Sequence, residues 1–132
     1  MQPKLSLPLE PVATSPALAR ARAVELVTPW TSPELVADTG LLVTELVANA
    51  VFHGGSRIRL DLSVHPGLHV HAEVFDSSLD PPVLRPLDRD SVSGRGLRLV
   101  DAIACAWGTR VGLDGKIVWF ELAEPPPDEF GR

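Results

Sequence analysis

The stretch ELVANAVFHG, residues 45 to 54, sets Glu45, Asn49 and His53 four residues apart in an otherwise apolar run. Four helical residues turn the chain by about 400°, so the three fall within a sector of roughly 80° and share one stripe. Leu42, Val43, Leu46, Val47, Ala50 and Val51 suit the rest of the helix to burial. Polar groups on such a helix need partners. A carboxylate and an amide oxygen one turn apart can orient a water and coordinate Mg²⁺, which takes oxygen ligands and keeps several waters of its own. The same pair also reads as a solvated helix face. His53, near the helix end, suits a capping or dipole role better than catalysis.

Working outward, Thr31-Ser32-Pro33-Glu34 is a helix start, and the run from Glu34 to about His53 is stopped by Gly54-Gly55. Ser15-Pro16 starts an earlier helix, Ala17 to about Trp30, and Lys4 to Glu10 alternates as a short edge strand before Pro11. On the other side, Arg57 to His65 and Leu68 to Asp76 alternate strictly around Pro66-Gly67, which predicts a hairpin. A proline-bearing loop from Ser77 to Ser93 follows, long for so small a domain. Gly96 to about Ala106 reads as a third helix. The segments around Thr109 and from Lys116 to Leu122 read as a closing hairpin across Asp114-Gly115. This order predicts an α+β domain with helices on one face of a mostly antiparallel sheet. It comprises an N-terminal arm at 1–14, one domain at 15–123, and an extended or disordered proline-rich tail at 124–132.

Two further features carry chemistry. Asp76 is in phase with Leu68, Val70, Ala72 and Val74, so a strand that points apolar groups inward ends by pointing a carboxylate the same way. It suits an amine donor such as that of adenine, and equally the backbone of the following Ser77-Ser78 turn. Ser93-Gly94-Arg95-Gly96 opens the third helix, whose inward face carries Leu97, Val100, Ile103 and Ala104. Glycines there let backbone amides approach a phosphate at a helix N-terminus, or serve only as a flexible entry. Arg95 and Arg98 add charge or are simply solvated.

The chain has 132 residues, of which 45% are apolar, enough for one real core. No run approaches the roughly 18 to 20 uninterrupted apolar residues of a membrane span, and no signal segment opens the chain, so a cytoplasmic protein without membrane attachment is expected. The net charge of −5 comes without a basic stripe, which argues against nucleic acid as a direct partner. The single cysteine, Cys105, reads as a packing residue. His69 and His71 share a strand face, but a solvent-facing hairpin explains them without a metal.

Taken together, ELVANAVFHG at 45 to 54, VFD at 74 to 76 and SGRGLRLVDAIACAWG at 93 to 108 resemble, in order and spacing, the three ATP-binding boxes of the GHKL (Bergerat-fold) ATPases. The resemblance spans about residues 17 to 123. The short chain, the brief lid and the closing GKIVWFEL at 115 to 122 look most like the anti-sigma-factor serine/threonine kinases and their stand-alone bacterial relatives.

The resemblance implies a two-layer α/β sandwich that binds ATP and Mg²⁺. Within it Glu45 is general base or water-orienting group, Asn49 is the Mg²⁺ ligand, and Asp76 accepts from the adenine amine. Gly94 and Gly96 hold the phosphates, with Arg95, Leu97 and Ser78 also at the nucleotide and residues Ser77 to Ser93 as lid. The implied partners are an anti-anti-sigma antagonist of the STAS type, phosphorylated by the kinase, and a sigma factor that it sequesters. The chain is compatible with a homodimer. A non-catalytic ATP-binding or protein-interaction module is the alternative. Two positions depart from the family pattern: Ser78 stands where many members have glycine, and Ile117 where a threonine often follows Gly-Lys.

Overall fold

The computed structural model describes residues 2–53, 56–65, 69–78 and 92–124, with the side chains of 92–95 outside it. The elements run β1 (Lys4–Leu9), α1 (Ser15–Val27), α2 (Pro33–Phe52), β2 (Ile58–His65), β3 (His69–Asp76), α3 (Val92–Ile103), β4 (Ala106–Val111) and β5 (Lys116–Ala123). The strands form one sheet in the order β1-β2-β3-β5-β4, every neighbouring pair antiparallel. This is the expected α+β architecture, and β1 lies at the expected edge.

Alternation decides which face is covered. Ile58, Leu60, Leu62 and Val64 of β2 are buried, as are Val70, Ala72 and Val74 of β3 and Val118, Phe120 and Leu122 of β5. Their sequence neighbours are not. The three helices close over that buried face, α2 centrally between α1 and α3. Ala19, Ala23 and Val27 of α1 recur every four residues and are fully buried, as are Leu42, Val43 and Val47 of α2. Each large side chain so buried contributes roughly 1.5–3 kcal/mol against exposure. By composition alone α2 is apolar enough to cross a membrane, yet 56% of its apolar window is buried inside the fold. A helix clasped on several sides needs that apolarity.

The start of α2 is as expected: Ser32 caps it, its Oγ accepting from Leu35 N at 3.2 Å, and Pro33 fills the first turn. Glu124 Oε1 accepts from Ser32 N at 2.7 Å, tying the end of β5 to this cap. Other boundaries differ from the sequence reading. α1 ends at Val27 rather than near Trp30, because Pro29 has no N–H with which to continue the helical ladder. Ser15 caps nothing; its hydroxyl donates to Glu10 O at 2.6 Å. α3 begins at Val92 and ends at Ile103, so the glycine-bearing segment lies inside its first turns instead of ahead of it. Burial of Leu97 and Val100 against α2 outweighs the low helix propensity of glycine. With α3 ended early, Cys105 falls in the link to β4 and is exposed, not packed; its N–H donates to Glu121 O. Gly54-Gly55, the 66–68 turn, lid residues 79–91 and the tail from 125 lie outside the described residues.

Candidate functional site

The stripe on α2 turns inward. Glu45 and Asn49 are 7% and 8% exposed, far too buried for a solvated face. α3 crosses beside them so closely that a Cβ at Gly96 would lie 2.9 Å from Asn49 Nδ2 and 3.3 Å from Oδ1. Any side chain here would displace the Asn49 amide from its place at this crossing. The sequence features at 45–49 and 94–96 are therefore one place. In a helix beginning at Val92, the Gly94 amide is among those without an intrahelical acceptor, whereas that of Gly96 lies within the ladder. Leu97, 1% exposed, is a core residue beneath this crossing.

Asp76 ends β3 on the buried face, 3% exposed. Its Oδ1 accepts from Ser78 N at 2.9 Å, the turn bond that the sequence left open. The same oxygen accepts from Lys116 Nζ at 3.2 Å, and the two side chains are only 4% and 3% exposed. The register explains the meeting: Asp76 and Lys116 are cross-strand partners, as are Phe75 and Ile117 on the opposite face. Ile117 therefore points away from Asp76, and the residue beside the carboxylate is Lys116. The turn before Lys116 is equally constrained. Gly115 has φ +156°, and a Cβ there would overlap the Asp76 carbonyl oxygen. Ser77 Oγ accepts from the backbone N–H groups of Ser56 and Arg57 at 2.8 and 3.0 Å, joining the end of β3 to the segment after α2.

Leu46, Asn49, His53, Val74, Asp76 and Lys116 line a cavity of only about 10 Å³, room for about one water. His53 donates its backbone N–H to Asn49 O as the helix cap, and its Nε2 is buried without a hydrogen-bond partner among the described residues. A wider groove of about 560 Å³ opens on the other face of the sheet, along Lys4, Asp61, His65 and His71. It is a solvent-facing hollow and shares no residue with the convergent buried groups, which mark the site instead.

On that outer face His71 bridges two carboxylates, Nδ1 to Glu121 Oε2 at 2.9 Å and Nε2 to Glu73 Oε2 at 2.8 Å. Arg110 adds a bond to Glu73 at 3.1 Å. Burial raises the Glu73 carboxyl pKa, but the bonds from His71 and Arg110 outweigh it and hold the group below its usual value. Among the described residues no group of three or more His, Cys, Asp and Glu forms a metal site.

Sequence reasoning missed Lys116. The signal was present: it is in phase with Val118, Phe120 and Leu122 and so sits on the apolar side of its strand.

No protein-family model and no curated protein sequence matches the chain. Solved structures do. The RsbU and RsbW domains of a Mycobacterium tuberculosis protein superpose with TM-score 0.73 at 20% identity, covering 95% of this chain and 33% of that one. The histidine kinase domain of the blue-light activated histidine kinase of Erythrobacter litoralis matches at TM-score 0.50 and 26% identity, over 67% of this chain and 44% of that one. A second structure of that kinase gives 0.51 and 26%, over 70% and 31%. The chain thus spans less than half the length of each. It has the GHKL ATPase-like fold that its three sequence boxes resemble.

Proposed function

We propose that this chain is a cytoplasmic Mg-ATP-binding regulatory domain that phosphorylates a serine or threonine of an antagonist protein and, when free of it, sequesters a sigma factor. The observation that carries the reading is the seat of Asn49 against Gly96, which joins an oxygen-donor stripe to the N-terminal turns of a helix. Those residues fit a Mg-phosphate group. Asn49 would hold the metal, the Gly94 amide at the open end of α3 would meet phosphate with Arg95 nearby, and Glu45 would orient or deprotonate the accepting hydroxyl. The nucleotide supplies the transferable phosphoryl group, and Mg²⁺ neutralises its charge. The protein's task is then positioning in a dry site, for which few side chains suffice. Asp76, with Ser78 beside it, would receive the base amine.

Incubation with radiolabelled Mg-ATP and STAS-type antagonist proteins tests this, with Glu45→Ala and Asn49→Ala in parallel. Transfer by the native chain and at least about 100-fold less by Glu45→Ala is expected for the loss of a general base. Confirmed ATP binding with no transfer to any antagonist leaves the second reading, a non-catalytic module. The nearly filled cavity at Asp76 favours that alternative.

A further inference from the structure

We propose that Lys116 gates the base pocket: its ammonium is the resident donor on Asp76, and an adenine nucleotide binds only the state in which that ammonium has withdrawn. The inference rests on the adenine reading of Asp76 given above. Three observations support it.

Lys116 is 3% exposed although its length would let it reach solvent from almost any surface strand. Its Nζ sits 3.2 Å from Asp76 Oδ1, on the carboxylate to which an incoming amine would donate. With the lysine inside, the cavity measures about 10 Å³, and no nucleobase fits.

The chemistry of the pair makes the gate selective. A carboxylate this buried needs its donors, and withdrawing Lys116 alone leaves it with the Ser78 N–H but without its cation. A purine bearing an exocyclic amine brings a replacement donor, so Asp76 exchanges one N–H partner for another. A ligand without a donor at that position cannot make the exchange. His53 Nε2 lies on the same wall, buried and without a hydrogen-bond partner among the described residues. Gly115 supplies the mechanical side: its backbone rests against the Asp76 carbonyl, so the turn that carries Lys116 is fixed and the motion belongs to the lysine side chain.

A minor open state populated at about 0.1–10% lowers apparent affinity by that fraction, so Lys116→Ala should bind Mg-ATP about tenfold or more tightly than the native chain in titration calorimetry. The native chain offers a second measurement. Its only lysines are Lys4, exposed on β1, and Lys116. Amine acylation read by peptide mass spectrometry should modify Lys4 readily and Lys116 slowly, and saturating Mg-ATP should raise the Lys116 rate relative to Lys4. Should Lys116→Ala fail to fold, Lys116→Met and the acylation ratio decide. Native binding with affinity unchanged or weakened in the variant overturns the gate while leaving the nucleotide reading intact. The same holds for a Lys116 rate that ATP leaves unmoved. No Mg-ATP binding by either folded protein overturns both.

Discussion

Asp76 and Lys116 show what one cross-strand pair can decide. Taking two opposite charges out of water is offset only while both are present, so removing one costs more than removing both. Asp76→Leu is therefore expected to lose on the order of 3 kcal/mol of stability, and the Asp76→Leu/Lys116→Met double variant much less than the sum of its two single variants. Urea denaturation of the four proteins checks this, and strict additivity would show that the pair is not coupled. Gly96 works by absence. Gly96→Ala places a methyl 2.9 Å from Asn49 Nδ2, and the amide must turn aside. Overpacking of this kind costs about 1–3 kcal/mol. Because Asn49 bears the cost, Mg-ATP affinity is expected to fall about tenfold or more with circular dichroism unchanged. Equal affinity in the two proteins would remove Asn49 from the nucleotide site. The sequence showed Asn49, Gly96 and Asp76 as separate weak features. Their meeting depends on how α3 crosses α2 and how α2 lies on β3, which no local pattern encodes.

At the scale of elements, legibility followed the strength of the local pattern. β2 and β3 alternate over eight residues each, and their observed ranges differ from the reading by one residue at the start of each. α2 carries its own start signal in Ser32-Pro33, which the cap bond from Leu35 N uses directly. Ser32→Ala is expected to cost about 1 kcal/mol, a fall of roughly 3–5 °C in Tm for a domain of this size. It should do so without altering the proposed nucleotide site, because the cap lies at the far end of α2 from Asn49; scanning calorimetry checks it. α3 was misplaced by about one turn because glycines normally interrupt helices, whereas here the burial of Leu97 and Val100 carries the helix through them. Register was the least legible. β5 was read as a strand, but only its pairing with β3 shows that Lys116, not Ile117, faces Asp76.

Among the described residues one face of the sheet is closed by helices and the other carries polar networks, and the two faces should respond differently to solution conditions. On the outer face Glu73 receives bonds from His71 of its own strand and from Arg110 of β4, while His71 reaches Glu121 of β5, so the network spans the last three strands of the sheet. Carboxylates only accept, and both His71 bonds form at once only when both ring nitrogens carry a proton. The Glu73 carboxyl is held below its usual value in the folded chain, so folding favours its ionised form. The stabilisation it provides is fully present above the unfolded-state pKa and is lost as pH falls through the lower folded-state value. Glu73→Gln should therefore be less stable than the native chain at neutral pH, and the gap should close as pH descends below the ordinary carboxylate range. Parallel denaturant titrations across acid pH measure this, and a gap independent of pH would show that the ionisation of Glu73 contributes nothing to it. The buried site should behave otherwise. Glu73→Gln leaves Asn49, Gly96 and Asp76 untouched, so its Mg-ATP affinity at neutral pH should match the native value, and a loss there would mean that the outer face of the sheet is coupled to the pocket through the strands between them.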